Sequence, residues 1–378
     1  MPQSLGDAID QIVTIPMRVG IASVATEKQL HLYDQARARQ GNVALTMLAA
    51  QQLVSRVAEG DWVFLLTGYG EAPWFPAGEM DGPPGVACLA RALSYGASAR
   101  CLYLAEPATV PTVVASSRAA GVPIYDAGVI EQFNIRRSGA AIDVPLGEQA
   151  AMERAIALLD RFQPKALIAC EKLGPNAQGE FVPIDGHQLP TNMVDCVAPF
   201  LFEQAQKRGI LTIGIGDMGN ELGLGLVEDV ANTYSGPNPP NRYSGSGSGV
   251  KSEITVLATI SNWGAYGVAA CLAYLFKNPD CLYDEQIEAQ VLAGCAAEGS
   301  VDFGAGVPIN HVDGLELVVH QAIITLLRTV IRGRLHDRGR SFLPDEFTEL
   351  ARAWQGPRTQ KRNPERIGST GTSREVEL

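Results

Sequence analysis

Short apolar runs alternate with helical patterns along most of this chain, and that alternation leaves few folds open. Strand-like runs occur at 62–66 (WVFLL), 101–104, 166–169, 211–215 and 254–260. Before the first of them, Leu45, Leu48, Ala49, Leu53 and Val57 recur at three- and four-residue spacing within 42–59, as on one face of a helix, and Gly60 follows as a stop signal. Helical patterns also fill 85–95, 151–162 and 193–207, between successive strands, and two more are expected at 265–276 and 315–331. Parallel strands need crossover connections of this length. The expected fold class is therefore α/β: a largely parallel sheet with helices on both faces, built as one unit or in two lobes.

The expected domain runs over 1–355, and the polar, charged stretch 356–378 is expected to be a flexible tail. Residues 235–250 (SGPNPPNRYSGSGSGV) are rich in Gly, Ser and Pro and read as a mobile loop or insertion.

A formal net charge of -11 argues against nucleic acid as a partner, because phosphates need a basic footprint. No apolar run reaches the roughly 18 residues that would cross a bilayer, so no membrane role is expected. The N-terminal MPQSLGDAIDQIV lacks the basic start and apolar core of a signal peptide, which makes the cytoplasm the expected location. The cysteines, 7 in number and without a C-x-x-C pair, read as reduced core residues. The apolar C-terminal helices point to a homo-oligomer.

In open α/β sheets, ligands bind beyond the carboxyl ends of the strands. After WVFLL come Glu71, Glu79 and Asp81; after 166–169 and Cys170 comes Glu171, then Lys172; after 211–215 and Gly216 come Asp217, Asn220 and Glu221; after 254–260 come Ser261, Asn262 and Trp263. Carboxylates from three strand ends would meet on one rim and repel one another. A divalent cation relieves that repulsion, and oxygen donors suit magnesium, manganese or calcium better than zinc.

Two motifs mislead. Gly214–Gly219 fits the G-x-G-x-x-G dinucleotide fingerprint, but Asp217 sits inside the turn, and the ribose-binding acid expected about 20 residues on would fall in the Gly/Ser/Pro segment. GDMGNE also looks like a phosphatase magnesium motif, yet the chain has no D-x-D nucleophile pair. Of the histidines, His187 and His311 lie in polar loops suited to proton transfer, whereas His320 falls in a helical apolar stretch.

The strings TGYGEAPWFPAGEMDGPPGVACLARAL, ACEKLGPNAQGEFVPIDGH, IGIGDMGNELGLG, TISNWGAYGVAACLAYL and GSVDFGAGVPINHVDGL, in that order, resemble the D-glutamate cyclase-like C-terminal domain family over about residues 1–330. Departures from its usual pattern are Met80, Met218, Lys172-Leu173 and Phe303 after Asp302. The resemblance implies a metal-dependent lyase of amino acid metabolism, a D-glutamate cyclase-like hydro-lyase closing D-glutamate to 5-oxo-D-proline and water. It implies that Glu79, Asp81, Glu171, Asp217 and Glu221 hold manganese or magnesium. Lys172, Asn220, Glu221 and Asn262 would serve the chemistry, and Asn176, Ser261 and Trp263 would contact a small acidic substrate. Two alternatives stand beside it: a metal-dependent hydrolase of a phosphate ester or cyclic amide, and a metal-stabilised protein that binds a small ligand.

Overall fold

The first strand, β1 (Trp62–Leu66), is buried at every residue, and its side chains divide between two cores. Val63 and Leu65 belong to one core, Trp62, Phe64 and Leu66 to the other, as the period-2 pleat requires. A strand buried on both faces reads as a continuous apolar run, which is what WVFLL is. In the computed structural model, which describes residues 2–17, 22–184, 186–234 and 245–336, β1 is a central strand of a six-stranded sheet. The other strands are β2 (Arg100–Ala105), β3 (Gly139–Asp143), β4 (Ala166–Cys170), β5 (Leu211–Gly216) and β6 (Ile254–Leu257). Every pair in it is parallel, in the order β3-β2-β1-β4-β5-β6. This is the Rossmann strand order, and its direction reverses between β1 and β4.

The helices are α1 (Pro2–Val13), α2 (Ala22–Arg39), α3 (Leu45–Arg56), α4 (Pro83–Gly96), α5 (Val110–Ala119), α6 (Ala127–Phe133), α7 (Ala151–Phe162), α8 (Val197–Lys207), α9 (Glu228–Tyr234), α10 (Ser261–Leu275), α11 (Glu285–Ala297) and α12 (Leu317–His336). Residues of α7 and α8 pack in the core with Phe64 and Leu167, while α3, α4 and α10 contribute to the core with Val63 and Ile168. Helices thus cover both faces. Helix α10 contacts α1, α3, α4 and α12 around its circumference, which accounts for a sequence apolar on every side.

Several boundaries differ from those expected. The run at 254–260 forms a strand only to Leu257, and Ser261 opens the helix expected to start at 265. The helix expected over 193–207 starts at Val197, after a short 3-10 turn over Thr191–Met193. Strand β3 was not anticipated, because GAAID is a short edge strand with only part of its length buried. Of the segment 235–250, residues 235–244 lie outside the described residues, as does the tail 356–378. Its described end is packed rather than loose: Ser248 N donates to Gly219 O (2.8 Å) and Gly249 N to Pro175 O (2.8 Å). Among the described residues, no helix is long and apolar enough to cross a membrane. All 7 cysteines are free and buried.

Candidate active site

The turns leaving β1, β4 and β5 deliver carboxylates to the switch point of the sheet. One carboxylate oxygen from each of Asp81, Glu171 and Asp217 lies within 4.8 Å of the other two. Three residues spread over much of the chain therefore converge.

Local structure explains how each is aimed. Gly82, with φ +102°, passes so close to the ends of β1 and β4 that an added Cβ would lie 2.4 Å from Thr67 Oγ1 and 3.0 Å from Glu171 Cβ. Only glycine fits there, and this close passage sets Asp81 beside Glu171. Glu171 itself is left-handed at φ 45°, a conformation costing a non-glycine residue roughly 1–3 kcal/mol. It turns the chain as it leaves β4, and the hydroxyl of Ser261 donates to its Oε2. Asp81 is fixed by amides: Ser261 N donates to Oδ2 (2.9 Å) and Asn262 N to Oδ1 (2.8 Å), so its charge sits at the N-terminus of α10. Burial raises the Glu171 pKa well above the ordinary carboxylate range, and the nearby charges of Asp217, Glu221, Glu79 and Asp81 push it further.

Glu221 stands apart from the other acids. Its carboxylate accepts the amides of Asp217 (2.7 Å), Met218 (2.8 Å) and Gly219 (2.7 Å), closing the glycine-rich turn after β5 upon itself. Those are the amides a phosphate would need, and the turn follows β5 rather than the first strand of the sheet. The dinucleotide fingerprint thus has a self-contained explanation. Glu221 shapes the turn that presents Asp217, and the three-residue cluster forms without it.

Glu171 and Asp217 of the cluster form the acidic floor of a cavity of about 420 Å³. Glu79, Glu171, Asp217, Asn220 and Glu221 line it, together with Glu71, Asp313 and Met218; its apolar lining includes Tyr69, Trp74, Phe75, Ile184 and Phe303. Beside the floor, Glu71 accepts from Tyr69 Oη and bonds His187 Nε2 at 2.8 Å.

Four of the expected site residues have side chains that already hold partners. Lys172 is buried, paired with Glu106 (2.9 Å) and Asp195 (3.2 Å), and donates to Gly68 O. Although burial alone would lower its pKa, the two carboxylates hold it above the usual lysine value, which favours its charged form. Asn262 accepts from Gly82 N (3.0 Å) and Gly85 N (2.7 Å) and donates to Met80 O (3.3 Å), which commits its amide to capping α4. Trp263 is wholly buried and donates to His320 Nδ1 at 3.0 Å, so it walls no cavity. Asn176 folds its own turn, accepting from Gln178 N and Glu180 N (both 2.9 Å) and donating to Gly245 O (2.7 Å). Ser261 acts by orienting Glu171. Asp302 is likewise structural, accepting from Ala305 N and Gly314 N. Of the departures from the family pattern, Leu173, Met218 and Phe303 line the cavity, whereas Met80 is buried in the core.

Sequence reasoning missed Lys28, on α2. Its ammonium is buried, and that burial lowers its pKa while the carboxylates of Glu221 and Asp217 oppose the shift. Nothing in TEKQLHLYDQ marks it, since a lysine in a polar helix is ordinarily solvated. His311 lies at a different surface, on a two-residue strand paired with Leu315–Glu316.

Compared with known proteins, residues 29–328 match the family model described as D-glutamate cyclase-like, C-terminal. A curated relative, "D-glutamate cyclase, mitochondrial" of Homo sapiens, is 32% identical over 114 residues. That match covers 29% of this chain and 17% of the human protein.

Proposed function

Since the chain belongs to the D-glutamate cyclase-like C-terminal family, we propose that it is a divalent-metal-dependent cyclase that closes D-glutamate to 5-oxo-D-proline with loss of water. The observation that carries this reading is the meeting of Asp81, Glu171 and Asp217 at the switch point, each offering an oxygen within 4.8 Å of the others. Buried carboxylates at that spacing are a donor set suited to a hard divalent cation, manganese or magnesium, with Glu79 lining the same cavity. Such an ion, when bound, supplies the positive charge that admits an anionic substrate to an acidic floor and steadies charge on the γ-carboxylate oxygens.

The protein's own groups do the remainder. Ser261 holds Glu171, and the α10 amides hold Asp81, so two of the acids are oriented before anything binds. Attack by the α-nitrogen requires loss of its proton. Glu71, hydrogen-bonded to His187 and lining the cavity, is positioned to take it. Asn220 lines the same space and suits the substrate's amino or carboxylate group.

Hydrolysis of a cyclic amide is the reverse of this reaction and would use the same residues. Phosphate esters fit less well, because Glu221 already occupies the amides that would receive a phosphate. We place the chain in the cytoplasm as a homo-oligomer, in keeping with its free thiols and the exposed Val318 and Leu326 of α12. The test is incubation of the pure protein with D-glutamate and manganese, following 5-oxoproline. Turnover that disappears in Asp217→Asn supports the proposal; absence of product from the wild type ends it.

A further inference from the structure

The cavity is larger and more apolar than glutamate requires. Its volume of about 420 Å³ falls in the roughly 300–1,000 Å³ range of sites that enclose drug-sized ligands. Glutamate is far smaller, and its charged ends belong at the acidic floor. Above that floor stands a run of rings. Phe75 and Phe303 stack at 5.5 Å with planes 19° apart, and Tyr69 lies 6.2 Å from Phe75. At the rim, Trp74 is 67% exposed and Phe303 49% exposed, and Ile184 also stands in water. Large apolar side chains held in water around a concave site mark a surface that is covered when its ligand binds. Glutamate carries only two methylenes to set against them.

We infer that the preferred substrate is a glutamate bearing an aromatic or similarly apolar group on one of its carboxyls, seated against Tyr69, Phe75, Phe303 and Trp74. The inference rests on the cyclase reading, since the acidic floor would hold the same amino acid portion. The chemistry balances for either position of the group. The α-nitrogen bonds to the γ-carbonyl carbon and gives up two protons from its ammonium form. If the group is on the γ-carbonyl as an amide, the carbon–nitrogen bond breaks and the departing amine takes both protons. If it is on the α-carboxyl, a γ-oxygen takes them and leaves as water, and the apolar group stays on the lactam.

The experiment compares D-glutamate, its γ-anilide and its α-anilide on manganese-loaded protein. Two readouts are taken: kcat/KM, and affinity by titration calorimetry. One anilide is expected to exceed glutamate by at least about tenfold in both, a difference of roughly 1.4 kcal/mol; which anilide does so identifies the carboxyl that carries the group. In Phe303→Ser and in Trp74→Ser, the anilide-to-glutamate ratio should fall several-fold in both readouts. Anilides that bind no tighter than glutamate, or a ratio that neither variant moves, would overturn the inference. If no compound is turned over, the cyclase reading fails, and calorimetry still decides the apolar subsite: a preference for an anilide upholds it, equal affinity removes it.

Discussion

Asp81 and Asn262 cap each other's helices. Asp81, just ahead of α4, accepts the Ser261 and Asn262 amides that open α10, while the Asn262 side chain accepts the Gly82 and Gly85 amides that open α4. The exchange locks two helices far apart in sequence and sets one carboxylate of the cluster in place. Asn262→Ala should leave the Gly85 amide without its acceptor and Gly82 N with Asp81 Oδ1 alone, destabilising the fold by roughly 1–3 kcal/mol. Denaturant melts would read the loss. Turnover should fall in step with the folded fraction, because the main-chain amides of residues 261 and 262 that hold Asp81 are kept.

Manganese should stabilise the protein against heat, and a chelator should reverse the effect. At a hundredfold excess over Kd the gain is about 2.7 kcal/mol. Asp217→Asn should abolish the manganese-dependent rise in Tm. It should also raise the Tm of the metal-free protein, since one of several mutually repelling acids is gone. An equal manganese response in wild type and variant would rule out Asp217 as a ligand.

Lys172→Met should cost about 3–5 kcal/mol, because Glu106 and Asp195 would stay buried without their cation. In the molecules that still fold, the pH optimum of turnover should not move. A shifted optimum would restore Lys172 as the base.

His187→Gln should lower kcat by about a hundredfold, the mild end of what loss of acid–base catalysis costs. Manganese affinity, measured by calorimetry, should stay at the wild-type value, because His187 bonds Glu71, which is not one of the three clustered acids. Loss of manganese binding in this variant would move His187 from proton transfer to metal support.

Glu288 offers a pH test independent of the site. Burial pushes its carboxyl up to about 7, against the donated hydroxyls of Tyr266 (3.0 Å) and Tyr283 (2.7 Å). The folded state thus binds its proton more tightly than the unfolded state does. Its contribution to stability is complete below about pH 4.5 and is lost as pH rises through about 7. The loss is on the order of 3 kcal/mol. Glu288→Gln should flatten this part of the Tm profile; a profile with the same slope would show that another group sets it.

The central sheet was legible because its strands are buried on both faces, so WVFLL, ALIAC and LTIGIG carry their role in composition alone. The edge strand β3 was not, since its pairing with β2 supplies what GAAID lacks. Glu171 and Asp217 were readable as strand exits, and the switch point brought them to Asp81. The polar residues around them were harder to place. Lys172, Asn262 and Asn176 stand in suggestive positions, but partners distant in sequence claim their hydrogen bonds, and a one-dimensional string does not show who those partners are. Lys28 was invisible for the converse reason: its helix looks solvated until it packs against the turn bearing Asp217.

The glycine-rich turn after β5 has kept the shape of an anion receptor and filled it from within. With Glu221 as occupant, the amides that receive a phosphate in dinucleotide-binding sheets are already taken by a carboxylate of the same turn. Trimming Glu221 to alanine would free the amides of Asp217, Met218 and Gly219 for an outside acceptor, so one side chain folded back on its own loop keeps that receptor closed.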